Sequence, residues 1–382
     1  MRTVAQHSDR KHRGLCQGGQ KIQQRIVAIS AKNTVSQLTS KQRVLNTIKW
    51  KPVDRLPTFA GGHFPQLTGR KYGRDYLHDA DAIAATVLKQ AEIFEADADR
   101  VPSSGALEVL ANTKLYWPEN DYPMFLEPVI TSRADVDRLV VPSEEELARD
   151  PRVAAGLEAI RIVRKKLGPD ALIMGFVNGV YNYAGELTGT AALMRFLAQD
   201  PELVWKLGEA ITQTSINHLR LQVKAGADYI GMPDATSSPA CISPKQYAEH
   251  ALPHHIKLIS AIRETGAISQ YHPCGGEYPI IDQLPRTGAD ILHFTELVDL
   301  SVAQKIFVQR HAVAGGMDVV TGPLFLGTPD EVDAYTKKLI ESLRFKTGAI
   351  IMPSCGLSPN VPVENIQAYI KAVKKYSHGT LR

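Results

Sequence analysis

Asp228-Tyr229-Ile230-Gly231-Met232 and Ile268-Ser269-Gln270-Tyr271-His272 are two runs of strand length, and between them Ser243-Pro244 opens a helical pattern. A strand, a helix and a second strand in that order make a parallel pair joined by a crossover. The same unit recurs outward in both directions. Strand candidates on one side are Leu56–Ala60, Arg100–Pro102 and Leu172–Val177; on the other they are Ile291–Phe294, Ala312–Ala314 and Ala349–Met352. The intervening helices carry start signals. Asp200-Pro201-Glu202 places an N-cap before a proline at the first helical position, with Leu203, Leu207 and Ile211 following on one face. Thr328-Pro329-Asp330-Glu331 is a capping box leading into Val332, Tyr335, Leu339 and Leu343. Pro362-Val363-Glu364-Asn365 opens a last helix with Ile366, Ile370 and Val373 inward.

Eight strands alternating with helices in a chain of 382 residues favour a closed (β/α)8 TIM barrel over an open doubly wound sheet. The stretch from about 103 to 168 is the least regular and reads as an insertion after the second strand. Residues 39–382 are then one barrel domain. The first 38 residues read as a basic, disordered leader, because residues 1–40 hold seven of the 44 basic residues and one of the 40 acids, Asp9. The remaining 37 basic and 39 acidic residues carry no stripe for nucleic acid. No apolar run approaches the ~18–20 residues that cross a bilayer, so no membrane role is expected. Neither a Gly-x-Gly-x-x-Gly nor a P-loop motif follows a strand, which leaves dinucleotide and P-loop chemistry without support. The four cysteines are scattered and follow no secretory signal, so a reducing, cytoplasmic setting is expected.

The sharpest chemical feature is Tyr271-His272-Pro273-Cys274-Gly275-Gly276 at a strand end. Cys355, in Met352-Pro353-Ser354-Cys355-Gly356, ends another strand. In a parallel barrel, C-terminal strand ends gather at one mouth. An imidazole and two thiols meeting there suit Zn²⁺ with one position open, a catalytic pattern rather than the four-ligand structural one. Spacing alone serves equally well a buried hydrogen-bonded histidine and two small buried thiols. Cys16 and Cys241 read as ordinary cysteines, and His254-His255 as surface residues, since adjacent residues do not share a helical face. Asp234, Glu296 and Asp318 also follow strands; each reads as a metal ligand, an orienting group or a general acid/base, or else as a helix cap or loop ion pair.

Three stretches carry a resemblance to a known family. They are Arg43-Val44-Leu45-Asn46-Thr47-Ile48-Lys49 with Pro52-Val53-Asp54-Arg55-Leu56-Pro57, then Gly327-Thr328-Pro329-Asp330-Glu331-Val332, then Val361-Pro362-Val363-Glu364-Asn365. From about Thr39 onward the chain resembles the uroporphyrinogen decarboxylase superfamily, whose fold is a (β/α)8 barrel. The decarboxylases have an Arg-Gln-Ala-Gly-Arg-Tyr-type motif near the first strand and a Gly-His-Gly near the end. Here those places read Leu56-Pro57-Thr58-Phe59-Ala60-Gly61-Gly62-His63-Phe64 and Ser354-Cys355-Gly356.

The likeness is instead to the corrinoid-dependent methyltransferase branch, of the methylcobalamin:coenzyme M type. That resemblance implies zinc held by His272, Cys274 and Cys355, with Glu296 as the acid at the fourth position. It also implies a methylcobamide co-substrate delivered by a corrinoid protein, and a small-molecule thiol as acceptor. Tyr271, Asp234 and Asp318 are expected as substrate or cobamide contacts. Other activities stay open: demethylation of a methoxylated aromatic or methylamine onto a corrinoid protein, uroporphyrinogen decarboxylation, and corrinoid binding without catalysis.

Overall fold

The computed structural model describes residues 37–113, 115–119, 123–358 and 360–378. The expected leader, with Cys16, lies almost wholly outside the described residues. Helix α1 (Ser40–Ile48) starts at a capping box in which Thr39 and Gln42 satisfy each other's backbone amides. Helix α2 (Ala80–Phe94) leads to β1 (Asp99–Arg100), and α3 (Pro151–Leu167) to β2 (Ile173–Phe176). Next come α4 (Pro201–Ala225), β3 (Tyr229–Pro233), α5 (Leu252–Glu264) and β4 (Ile268–His272). The chain continues through β5 (Ile291–His293), α6 (Leu300–Ile306), β6 (Ala312–Met317), α7 (Pro329–Ser342), β7 (Ala349–Pro353) and α8 (Val363–Tyr376). The seven strands form one parallel sheet in chain order. The expected start signals hold: Asp200 accepts from the Leu203 amide at the head of α4, and Thr328 and Glu331 form a capping box at the head of α7.

The stretch read as irregular contains α3 and three short helices, Ala106–Ala111, Arg133–Asp137 and Glu144–Arg149. Between the first two of these Tyr116 pairs antiparallel with Met124.

Strand alternation sorts the core into two layers. Ile230, Met232, Tyr271, Leu292, Val313 and Ile351 belong to the large cluster shared with the helices. Their strand neighbours Tyr229, Ile268, Ile291, Ala312, Ala314, Ile350 and Met352 form a separate inner cluster, into which Val44 of α1 also packs. One inner cluster drawing on β3 to β7 requires a sheet curled on itself. The expected first strand is reduced to the single bridge Thr58–Ile351. On its other side the Asp97 amide donates to Thr58 O at 2.7 Å.

A buried ion network anchors this edge. Asp97 accepts from Arg43 Nη1 at 2.5 Å, from Arg55 Nη1 at 2.6 Å and from the Thr58 amide at 2.9 Å. Asp54 pairs with Arg43 Nη2 at 2.7 Å. Arg43, Asp54 and Arg55 lie in the first of the stretches that carried the family resemblance, and their task is to tie the start of the fold to the sheet. Asp99, next to this network, has its pKa pushed up to about 7 by burial and by the charge of Asp97.

Candidate metal centre

The inner face of β4 reads Ile268, Gln270, His272 from bottom to top, and that of β5 reads Ile291, His293. Apolar side chains fill the lower layer and polar ones crown it. His272 Nδ1–H donates to His293 O at 3.0 Å, which leaves Nε2 with a free lone pair. That Nε2 is buried and has no hydrogen-bond partner. The ligand atoms of His272, Cys274 and Cys355 all lie within 4.8 Å of one another. Cys274 Sγ and Cys355 Sγ are 3.4 Å apart, too far for a disulfide and a little under the ~3.8 Å that two sulfurs span across a tetrahedral zinc.

The local chain explains the convergence. After His272 the backbone turns through Gly275 and Gly276, with φ of 134° and 74°. A Cβ on Gly275 would come within 2.4 Å of Ser238 Oγ, so the turn needs glycine. The carboxylate of buried Glu277 accepts from the Thr295 amide and hydroxyl, both at 2.8 Å, fastening this loop to the end of β5. Cys355 follows β7 at the same height, its strand held by the Ser354 amide donating to Met317 O at 2.8 Å.

The thiols share a proton unevenly. A hydrogen bond from the Cys274 thiol, with His272 adding to it against the effect of burial, holds Cys355 well below its ordinary pKa. The same bond, reinforced by burial and the charges of Glu277 and Glu296, pushes Cys274 up. Burial works against an imidazolium at His272, yet Cys355 and the His293 carbonyl raise its pKa. A donor set already biased toward thiolate, with an orphaned imidazole nitrogen facing it, fits a borderline-soft cation such as Zn²⁺.

His293 holds the His272 ring in place. His293 stacks on His272 with centroids 4.1 Å apart. Its Nδ1 accepts from Gln270 Nε2 at 3.0 Å and its Nε2–H donates to Pro353 O at 2.9 Å. With one nitrogen accepting and the other donating, His293 is neutral, and burial followed by the charge of His272 holds its pKa well below the usual value. His293→Phe keeps the stack but strands both partners. Zinc affinity measured by chelator competition should fall roughly 10–100-fold. Unchanged affinity would show that the network does not position His272.

The other sequence candidates fall elsewhere. Glu296 is not in the three-residue cluster; its Oε2 accepts from Ser354 Oγ at 2.6 Å, one residue before Cys355. Asp234 is fully buried and accepts from His255 Nε2 at 2.8 Å and from the Tyr181 and Asn182 amides at 3.0 and 2.8 Å. Gly179 packs so tightly on it that a Cβ would approach within 2.2 Å. Asp234 thus caps the helix Val180–Thr188. Tyr271 points to the helix layer, its ring centroid 4.8 Å from that of His255. Asp318 closes its own turn, accepting from the Val320 and Thr321 amides at 2.8 and 3.0 Å. Cys241 is an exposed free thiol.

The surface reading of His254-His255 is wrong, and the reason is packing on two sides of one helix. His254 lies against α4, 4.6 Å from the Trp205 ring and 3.3 Å from Thr212 Oγ1, while His255 faces the sheet. Glu277, His293, Gln270 and Ser354 escaped the sequence reading. His293 and Gln270 had a signal: each sits two residues from a layer mate on an inward-facing strand position.

The chain's relatives include methyltransferases and uroporphyrinogen decarboxylases. The methylcobamide:CoM methyltransferase MtbA of Methanosarcina acetivorans is 25% identical over 355 residues, covering 90% of this chain and 100% of that protein. A uroporphyrinogen decarboxylase of Geobacter sulfurreducens is 26% identical over 352 residues, covering 88% of this chain and 98% of that one. Among solved structures, a methyltransferase from Methanosarcina mazei shares the fold with a TM-score of 0.76 at 24% identity, over 89% of this chain and 99% of that one. The family model for uroporphyrinogen decarboxylase (URO-D) matches residues 39–376. The chain belongs to the uroporphyrinogen decarboxylase (URO-D) family.

Proposed function

We propose that this protein is a zinc-dependent methyltransferase that moves a methyl group from a methylcobamide, carried by a corrinoid protein, to a small thiol. One observation carries the reading: the buried, unpartnered Nε2 of His272 faces two thiols from distant parts of the chain. His272, Cys274 and Cys355 would hold the ion, and Glu296, tethered by Ser354, is the acid we assign to the fourth position. Bound Zn²⁺ would favour the anion of a substrate thiol whose free pKa is about 8.5. The protein's part is to fix the donors, through the His293–Gln270–Pro353 chain. In the transfer the S–C bond forms as the Co–C bond breaks, with both electrons of the latter left on cobalt and the thiol proton lost on binding.

A macromolecular donor is supported by an apolar rim. Tyr278, Leu297, Val320 and Leu326 follow β4, β5 and β6, and each is 46–67% exposed. We further infer that residues 57–59, bonded to β7 on one side and to Asp97 on the other, act as an eighth strand. Residues 39–382 are then one (β/α)8 domain with its insertion at about 103–168. No helix among the described residues is long and apolar enough to cross a membrane.

The test is metal analysis of the purified protein together with a methylcobalamin assay over a panel of thiols. About one zinc per chain and a methylated thiol are expected. Full methyl transfer by zinc-free protein, or turnover of uroporphyrinogen instead, would overturn the reading.

A further inference from the structure

A cavity of about 680 Å³ reaches the chain just after Cys355. Gly356 and Leu357, the residues directly after Cys355, form part of its wall. The rest comes from His63 and Leu77 ahead of β1, from the ends of β1 and β2, and from the segments beyond those strands. Four buried polar atoms on this wall lack a hydrogen-bond partner: His63 Nδ1, Arg100 Nε, Glu108 Oε2 and Arg152 Nη1. His63 and Arg152 are only 3% and 5% exposed. Buried polar atoms are normally hydrogen-bonded, so four without a partner in the residues of one wall mark a place that a polar ligand completes.

The charges on that wall are of both signs. The Arg100 guanidinium lies 4.1 Å from the Phe176 ring centroid, which pins its plane. Arg152 is paired with Glu108 at 2.5 Å. Beyond them Glu186 accepts from Asn178 Nδ2 at 3.2 Å. Glu186 is exposed at the open side of the cavity, and partial desolvation and the charge of Glu108 raise its pKa. A carboxyl so raised gains by meeting a cation. Burial and the charge of Arg100 keep His63 neutral, its pKa lowered to about 3. A thiol with only an anionic tail would satisfy Arg100 and leave the Glu186 carboxyl without a cation, since Glu108 is already paired with Arg152. A neutral thiol would leave the charged groups unmet.

We propose that this cavity binds the polar end of the methyl acceptor, and that the acceptor is a small α-amino-acid thiol. Its carboxylate meets Arg100, its ammonium meets Glu108 and Glu186, and its sulfur reaches toward Cys274 and Cys355. The acceptor role rests on the thiol-methylation reading above; the recognition of an amino-acid group does not.

The experiment is calorimetric titration of the full chain, with and without zinc, using L-homocysteine, L-methionine, 2-mercaptoethanesulfonate and 2-mercaptoethanol. L-Methionine carries the same amino-acid group without a free thiol, so its binding reads the cavity alone. The wild-type protein should bind L-methionine with or without zinc, and L-homocysteine should bind on the order of tenfold or more tighter than either simple thiol. Arg100→Met should cut L-methionine affinity by a similar factor at unchanged zinc content. Glu186→Gln, which preserves shape and folding, should do the same. Equal or tighter binding of 2-mercaptoethanesulfonate overturns the proposal, as does L-methionine binding that neither variant weakens. L-Methionine binding that depends on Arg100, in a protein that transfers no methyl group, upholds the amino-acid site and removes only the zinc reading.

Discussion

Cys274→Ala should leave the protein folded, free of zinc and without measurable thiol methylation. The substitution removes one of the four proposed side-chain ligands from an ion whose total binding in small structural sites is worth about 10–16 kcal/mol. A proportionate loss lowers zinc affinity on the order of a hundredfold to a thousandfold. It also deletes the thiol whose hydrogen bond, together with His272, stabilises the Cys355 thiolate. The fold should survive because Cys274 is half-buried in a loop and belongs to neither core cluster. Zinc stoichiometry by atomic absorption and methylcobalamin turnover are the readouts. A variant that keeps its metal and its rate would remove Cys274 from the centre. If it keeps the metal but loses the rate, the ligand set must be redrawn around His272, Cys355 and Glu296.

The largest effect on stability should come from Asp97→Asn. The change is isosteric and leaves two guanidinium groups, Arg43 and Arg55, with side chains only 4% and 10% exposed, short of a counter-charge. Breaking one partner out of a buried ion network costs about 3–5 kcal/mol, since the remaining charge stays desolvated. Urea unfolding should show an unfolding free energy lowered by that amount, read as a lower midpoint at an unchanged slope. Amide exchange at Thr58, whose N–H donates to Asp97 Oδ2, should speed up first. A loss under about 1 kcal/mol would mean that Asp54 alone neutralises the pair.

Much of the fold was legible in the residues because strand and helix patterns are local. Ile268–His272 forms a strand over its whole expected range, and the neighbouring strands shift by one to three residues at their ends. Caps were legible for the same reason: Asp200 and Thr328 bond to amides three residues away. The expected first strand was less so. Its pairing partners, Ile351 and Asp97, lie far off in the chain, and only one bridge forms.

By itself the sequence determined the parallel succession of strands and helices, and the placing of His272, Cys274 and Cys355 at or just past strand ends, since both follow from periodicity and from the rule that such ends share a rim. Tertiary structure alone decided which atoms meet. The curl of the sheet brings Cys355 to within 3.4 Å of Cys274 across 81 residues, and the free choice of hydrogen-bond partner at His293 O leaves His272 Nε2 bare. It likewise turned Asp234 and His255 into a buried pair and kept Glu296 on Ser354. Those outcomes depend on contacts between residues remote in the chain, whose geometry exists only once the layers have packed.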